Sequence, residues 1–493
     1  MSMVATELLT SALSRAGLLV SVRGVLPSQV SLVCDDSRHV APGALFAAVR
    51  GSARDGHDYL DVVAAAGATM AIVEDASRTA LPAIVVRDGR RAAAVTAAAF
   101  WGEPAKGMRL VGVTGTNGKT TTVGMLRHLL DTPSARSASI GTLGVLIGSE
   151  GTPMPGGGGL TTPGPVELQR ILRALADAGV KTVALEVSSH SLDQRRVEGL
   201  TFDAAVFTNL TRDHLDYHGT MEAYFAAKAR LVEQLAPLGT VVANADDAAW
   251  QSLRSAAKRL TFGHGDTAMI RAVDVAYQPR GSAWQLKTPT GEAAVLLPLI
   301  GDFNVDNALG AAAAAFALGL DTDTIAARLT MMPQVPGRLE VLGKRPTVLR
   351  DYAHTPDALQ RALTALRPFT PGRLIVVFGA GGDRDRGKRP LMAQVAHAHA
   401  DVVIVTSDNP RTEDPERILD DIVAPLAAGR YERIEDRRSA IEHALAIADP
   451  ARDVVLLAGK GHETYQVRGT ETLHFDEREI VAELMRINAS VRP

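Results

Sequence analysis

The chain holds one cysteine, Cys34, so no disulfide can form within it. That suits a reducing compartment. Long apolar runs are also missing. The longest, Ala308 to Leu320, covers about 13 residues, short of the about 20 that a membrane-spanning helix needs. It reads instead as a buried, alanine-rich helix. Met1 to Val20 carries Glu7 and Arg15 and lacks a basic start followed by an apolar stretch, so it does not read as a signal peptide. Net charge is scarce: 52 Lys and Arg against 55 Asp and Glu leave −3. A chain so balanced has no long-range pull on a nucleic-acid backbone or an anionic membrane, and any phosphate must be bound locally. These features predict a cytoplasmic protein that is not membrane-embedded and has no nucleic-acid partner.

What is present is ordinary for filled cores, with 46 % apolar and 22 % charged residues. At about 150 residues per domain, 493 residues suggest about three domains. Residues 1–105 mix short apolar runs (Ala44–Val49, Ala71–Val73, Ala83–Val86) with helical stretches. Gly102 to Gly107, rich in Gly and Pro, reads as a linker. In residues 106–336, strand-like runs at Leu110–Val113, Thr182–Glu186, Ala204–Phe207 and Thr240–Ala243 alternate with helical patterns. Residues 337–493 repeat the alternation, with runs at Thr347–Leu349, Leu374–Phe378, Val402–Val405 and Val454–Leu457. Such alternation predicts α/β domains with parallel sheets covered on both faces. Gly156 to Gly159 reads as a loop.

The strongest local signal is Val113-Thr-Gly-Thr-Asn-Gly-Lys-Thr-Thr121, between a strand-like run and a helix predicted over Lys119–Leu130. Glycines let a backbone turn tightly and aim N–H groups inward, and a helix N-terminus adds partial positive charge. Lys119 would reach terminal phosphates and the Thr120 hydroxyl would meet Mg²⁺. The usual motif places a glycine where this chain has Val113; here the glycine is Gly115. A GTPase, a kinase, a transport motor or a ligase could all carry such a loop.

Glu186 ends an apolar run and precedes Val187-Ser-Ser-His190. At the carboxyl end of a parallel strand it would face the binding crevice, where a carboxylate suits Mg²⁺; a capping or paired glutamate is the plainer alternative. Asn209 to Gly219, dense in Asp and His, also follows a strand-like run. Lys228 lies in a helical stretch, where a lysine is most often a solvated charge. In the last block, Asp408-Asn-Pro-Arg411 follows a strand-like run, and Arg411 offers a planar fork for a carboxylate. Pairing of Arg411 with Glu413 or Asp414 is the structural alternative.

Taken together, these motifs resemble the Mur ligase family over nearly the whole chain. They run through Asp36-Ser-Arg38, Gly115–Thr121, Thr161-Thr-Pro163, Glu186–His190, Asp213-His-Leu-Asp216, Asn304–Asn307, Gly337–Glu340, Asp351–His354, Gly382–Pro390, Asp408–Arg411 and Gly459–Glu463. The resemblance implies a small mixed α/β N-terminal domain holding the UDP end of a substrate, a central P-loop ATPase domain and a C-terminal Rossmann-like domain for an incoming amino acid. Through it, Ser37, Ser52, Ala53 and Arg54 would contact the UDP-sugar. Thr161, Thr162, Ser188, Gln194 and Arg196 would hold the muramoyl-peptide portion. Gly115, Thr116, Asn117, Gly118, Lys119, Thr120 and Thr121 would bind the ATP phosphates, and Asn304, Arg338 and Asp351 the rest of the nucleotide. Thr120 and Glu186 would bind Mg²⁺, with His214 serving a second ion. Lys228 matches the family lysine that takes a CO₂-derived carbamate, which turns a cation into an anion able to organise Mg²⁺. Lys119, Glu186, His214 and Lys228 form the implied catalytic set.

The implied reaction adds meso-2,6-diaminopimelate to UDP-N-acetylmuramoyl-L-alanyl-D-glutamate through an acyl phosphate, in peptidoglycan precursor synthesis, with the enzyme acting as a monomer. Arg384, Asp408, Asn409, Pro410, Arg411, Gly459 and Glu463 would surround the amino acid. The nearest rival is the same chemistry with L-lysine, against which Arg411 argues, since its charge would meet a like charge. A non-catalytic nucleotide-binding scaffold is the rival from another class. Folate ligases share the central chemistry but fit the Asp36–Arg38 and Asp408–Arg411 motifs less well.

Overall fold

A computed structural model describes residues 3–51, 54–157 and 159–491, with side chains described to residue 486. The chain divides into two compact units. The first comprises residues 1–273 with 286–293 and 306–329, and the second comprises residues 274–285, 294–305 and 330–493.

Two large sheets lie in the first unit, beside a two-stranded pairing of Val4–Ala5 with Gln29–Val30. The smaller consists of β1 (Leu19–Arg23), β2 (Leu32–Cys34), β3 (Ala44–Ala47), β4 (Ala68–Val73) and β5 (Ala83–Val86) in the order β1-β5-β4-β3-β2. Only the β1–β5 ladder is antiparallel; the other three are parallel. Helices α1 (Thr6–Arg15) and α2 (Gly89–Phe100) pack on it through Leu9, Leu13, Ala93 and Ala97. The Asp88 carboxylate accepts from the Arg91 N–H and caps α2, a contact whose loss typically costs about 0.5–2 kcal/mol.

The larger sheet of this unit is built on β6 (Arg109–Thr114), which leads into α3 (Lys119–Leu130). Then come β7 (Arg136–Gly141), β8 (Gly144–Ile147), β9 (Thr152–Met154), α4 (Pro165–Asp177), β10 (Val180–Glu186), β11 (Phe202–Phe207), α5 (Met221–Ala229), β12 (Leu235–Asn244) and β13 (Lys258–Gly263). Among the described residues the sheet has eleven strands, and these eight run in the order β9-β8-β7-β10-β6-β11-β12-β13. From β7 to β13 every ladder is parallel, and the central strands β6, β10 and β11 are buried on both faces, which explains their apolar runs. The antiparallel β8 and β9 at one edge were not expected from the sequence. The alanine-rich run lies in α6 (Asp302–Ala317), with Ala311 to Ala315 fully buried.

The Gly102–Gly107 segment is not an open linker. Pro104–Gly107 forms a 3₁₀ turn with Pro104 buried, and Ala105 and Met108 pack on the central core.

The second unit carries β14 (Glu340–Lys344), β15 (Thr347–Asp351), α7 (Pro356–Leu366), β16 (Leu374–Phe378), α8 (Lys388–His399), β17 (Val402–Val405), α9 (Pro415–Val423), β18 (Glu432–Arg433), α10 (Arg437–Ile447), β19 (Val454–Ala458) and α11 (Glu477–Val491). Its sheet runs β14-β15-β19-β16-β17-β18, with β14 alone antiparallel. Separate apolar clusters fill the two faces: Val376, Phe378 and Leu419 on one, Ile375, Val377 and Ile441 on the other. The functional segments leave the carboxyl ends of these parallel strands, where open α/β sheets bind ligands.

Candidate active site

In the first unit the turn from β6 to α3 is fastened from beneath by β11's exit. The Thr116 N–H donates to the Asn209 carbonyl at 2.7 Å, and the Asn117 N–H to the Asn209 side-chain oxygen at 2.9 Å. Thr208 donates its hydroxyl to the Asn117 carbonyl at 2.7 Å. Gly115 has φ 148°, and a Cβ there would come 1.9 Å from the Thr208 hydroxyl; a Cβ at Gly118 (φ 86°) would come 2.2 Å from the Asn307 side-chain oxygen. Both glycines are therefore required by close approach as well as by conformation. The loop ends at the N-terminus of α3, where Lys119, Thr120 and Thr121 form the first turn. A backbone so curled against a helix N-terminus suits a phosphate.

Lys119 donates to the Gly115 and Thr116 carbonyls at 2.9 and 2.8 Å. Lys228, on α5, is 1 % exposed and donates to the same Gly115 carbonyl at 2.7 Å. Its ammonium lies over the Tyr224 ring at 4.4 Å. Burial, with Lys119 beside it, holds the Lys228 ammonium well below the ordinary lysine value. Lys228 is thus no solvated charge. Thr220 caps α5 and fixes its start.

Glu186 ends β10 and is buried. Its carboxylate accepts from the Thr120 hydroxyl at 3.1 Å, the Thr142 N–H at 2.8 Å and the Thr142 hydroxyl at 3.1 Å. Thr120 and Glu186 present only oxygen donors beside the phosphate loop, a set that fits Mg²⁺. His214 stands edge-on to His190, ring centroids 4.8 Å apart, and takes a left-handed φ of 52°. Burial is the chief reason that the pKa of His190 falls to about 4 and that of His214 falls below its ordinary value. Non-glycine residues with positive φ recur at the other loops of interest: Leu339, Asp383 and Arg411.

The segment after β9 meets the same strand end. Thr162 donates to the Glu186 carbonyl at 2.8 Å and accepts from the Ser188 N–H at 3.1 Å; Thr161 lies 3.4 Å from the Thr142 hydroxyl. Arg196 donates to the Thr162 carbonyl at 2.9 Å and to the Gln194 side-chain oxygen at 2.7 Å. Ser37, Arg54, Gln194 and Arg196 line one cavity of about 950 Å³ together with Arg38 and Arg90. Ser52 and Ala53 lie outside the described residues.

In the second unit Leu339 donates its N–H to the Asp351 carboxylate at 2.7 Å, and the Arg338 guanidinium lies over the Tyr352 ring at 4.9 Å. Desolvation raises the pKa of Asp351. Asn304 donates to the Ile300 carbonyl at 2.8 Å.

The amino-acid segments converge past β17 and β19. Asn409 donates to the Glu463 carboxylate at 2.8 Å and accepts from the Val467 N–H at 3.0 Å. Between them sits Lys460, fully buried, 3.2 Å from Asn409, 3.4 Å from Glu463 and 3.6 Å from Asp408. Lys460 was not singled out from the sequence, although its neighbours Gly459 and Glu463 were. Thr142, the second anchor of Glu186, carried no sequence signal. Gly459 faces Asp408, since a Cβ there would lie 3.5 Å from its carboxylate. Arg411 follows buried Pro410 at φ 53° and donates to the Gly382 carbonyl at 2.7 Å. It does not pair with Glu413 or Asp414: Glu413 is held by the buried Arg389 at 2.7 Å, and Asp414 caps α9. Arg384 is exposed in a cleft with Arg386, Glu413 and Arg417.

A phosphate loop backed by a carboxylate at the next strand end, with a further α/β unit carrying converging polar loops, defines a nucleotide-using enzyme class. Three family models match in turn: "Mur ligase family, catalytic domain" over residues 29–102, "Mur ligase middle domain" over 113–315, and "Mur ligase, glutamate ligase domain" over 337–461. A UDP-N-acetylmuramoyl-L-alanyl-D-glutamate–2,6-diaminopimelate ligase from Geobacillus thermodenitrificans is 45 % identical over 93 % of this chain and 95 % of its own. The same-named protein of Synechococcus elongatus is 47 % identical over 90 % and 91 %. A solved structure of a ligase of that name has a TM-score of 0.69 at 35 % identity, covering 99 % of this chain and all of the other. A folylpolyglutamate synthase of Mycobacterium tuberculosis shares the fold at 21 % identity, TM-score 0.62, over 80 % of this chain and 94 % of its own. The chain belongs to the Mur ligase family: it is a ligase with that family's three-domain α/β fold.

Proposed function

We propose that this enzyme joins meso-2,6-diaminopimelate to the D-glutamate side-chain carboxylate of UDP-N-acetylmuramoyl-L-alanyl-D-glutamate, consuming ATP. The observation that carries the reading is that relatives bearing this activity in their names match nine tenths of the chain at 45 and 47 % identity. In this reading residues 1–105 hold the UDP end, residues 106–336 bind ATP and residues 337–493 bind the amino acid. The cavity lined by Ser37, Arg54, Gln194 and Arg196 supports the first assignment, its arginines suiting a diphosphate.

The carboxylate oxygen attacks the γ-phosphorus of ATP, ADP leaves, and an acyl phosphate remains. The amine nitrogen then attacks the acyl carbon, loses a proton, and phosphate departs from the tetrahedral intermediate. The phosphate-loop N–H groups and Lys119 hold the triphosphate and offset its charge as the phosphoryl group moves. To do so Lys119 must leave the Gly115 and Thr116 carbonyls for the incoming phosphate. Thr142 fixes the Glu186 carboxylate toward Thr120. Mg²⁺, when bound by Thr120 and Glu186 with a second ion near His214, would neutralise the charge between the two anionic reactants.

Lys228 takes a carbamate in this reading: its neutral amine adds CO₂ and releases a proton, leaving an anion. Its burial beside a second lysine supports this, because an ammonium there is penalised twice, by desolvation and by like charge. Arg411 receives the second carboxylate of diaminopimelate, a group that lysine lacks; its freedom from Glu413 supports that role. Glu463 and Asp408 offer anions for an ammonium group. The test is ATP-dependent phosphate release with UDP-N-acetylmuramoyl-L-Ala-D-Glu and a panel of amino acids. Turnover with diaminopimelate well above lysine is expected. Preference for lysine, or no turnover with any amino acid, would overturn the reading.

A further inference from the structure

Arg437 opens α10, and Glu477 opens α11. Both side chains are wholly buried and their charged groups meet at 2.8 Å. Glu477 takes Nε and one terminal nitrogen of Arg437 on a single oxygen, Oε1. The guanidinium has donors left for the sheet: it reaches the Ser407 carbonyl at 3.3 Å and the Ala458 carbonyl at 2.9 Å. These carbonyls lie just beyond β17 and at the end of β19. The two strands are not hydrogen-bonded to each other, because β16 lies between them. Asp408 and Asn409 follow the first carbonyl; Gly459, Lys460 and, shortly after, Glu463 follow the second. The contacts between those two segments, Asn409 to Glu463 at 2.8 Å and Lys460 to Asn409 at 3.2 Å, thus stand on backbone ends that Arg437 ties together.

We propose that Arg437, anchored by Glu477, is a positioning residue for the amino-acid acceptor, fixing the spacing between the Asp408–Arg411 and Gly459–Glu463 segments. The inference rests on the reading that these segments hold the acceptor. A buried ion pair is a poor way to gain stability alone, since replacing one by apolar groups of similar volume is often neutral or stabilising. Here the guanidinium does what an apolar pair cannot: it satisfies two carbonyls on separate strands and fixes the distance between them. Neither side chain needs to touch the substrate.

The test compares three variants of the full chain: R437M/E477L, which keeps the volume but not the donors, R437K, which keeps one cation, and N409A as a control on the acceptor site. Thermal melting is measured along with KM for diaminopimelate and for ATP. In R437M/E477L we expect a melting temperature near that of the parent, an acceptor KM raised about ten- to a hundredfold, the scale that a displacement of about 1 Å can cost, and an ATP KM within about twofold. R437K should recover part of the acceptor KM. An unchanged acceptor KM in folded R437M/E477L overturns the positioning role, as does failure of that variant to fold, which would make the pair a support of the fold. If N409A also leaves the acceptor KM unchanged, it is the acceptor-site reading that fails.

Discussion

The ammonium groups of Lys119 and Lys228 share one acceptor, the Gly115 carbonyl, at 2.9 and 2.7 Å. Two cations held on one oxygen, one of them buried, repel each other unless an anion intervenes or one is neutral. The pair therefore favours an anion close by, or a neutral Lys228.

Replacing Lys119 by Ala should abolish most ligation while the fold survives, because the Lys119 ammonium sits on backbone carbonyls of an already fastened loop. Loss of one such transition-state contact typically costs about 10²–10³ in kcat. Phosphate release by purified Lys119→Ala, with circular dichroism as the control, checks this; near-normal turnover would refute the assignment.

Lys228→Ala should be nearly inactive and should regain part of its activity when short carboxylates such as formate or acetate are added, since these restore an anion in the vacated space. Mass spectrometry at elevated bicarbonate should find the parent lysine heavier by one CO₂. Full activity of the variant without any addition would remove Lys228 from the mechanism.

Gly141→Ala addresses Glu186 without replacing a charged residue. A Cβ at Gly141 would lie 2.1 Å from the Glu186 Oε1, so the carboxylate must turn away from Thr120 and Thr142. Displacing a group that orients a metal ligand typically costs about 10- to 100-fold in metal affinity or activity. The Mg²⁺ concentration giving half-maximal rate should rise accordingly, with little change in the diaminopimelate KM. An unaltered Mg²⁺ requirement would show that Glu186 is not a metal ligand.

Arg411→Ala should lower kcat/KM for diaminopimelate by about 10- to 150-fold, the equivalent of about 1.5–3 kcal/mol for a charge-assisted contact. The ATP KM should hold. The variant need not gain lysine activity, because removing a repulsion does not build a lysine pocket. Equal use of both amino acids by the parent enzyme would show that Arg411 is not the selector.

The glycine-rich strand-to-helix turn was legible in the sequence, and the helix over Lys119–Leu130 and the strands Leu374–Phe378 and Val402–Val405 were legible to the residue. Local chemistry dictates them: glycines at a strand-to-helix turn, and unbroken apolar runs that only a sheet covered on both faces can bury. The antiparallel edge at β8 and β9 was not legible, because short half-buried strands leave little periodic signal. The Lys460 contact with Asn409 joins side chains 51 residues apart in sequence, and Arg437 meets the Ser407 carbonyl from 30 residues away and the Glu477 side chain from 40.

By itself, then, the sequence determined the α/β alternation, the glycine-rich strand-to-helix turn and the residue types available for chemistry, since each depends on neighbours within a few positions. Tertiary structure alone decided the state of those residues. Lys228, an ordinary helical lysine by pattern, is buried on the Gly115 carbonyl because α5 packs its inner face toward the loop. Arg411 donates to the Gly382 carbonyl, while the nearby Glu413 carboxylate is held by the buried Arg389. Charge pairing and desolvation depend on distance in space, and spacing along the chain does not encode which partner arrives first.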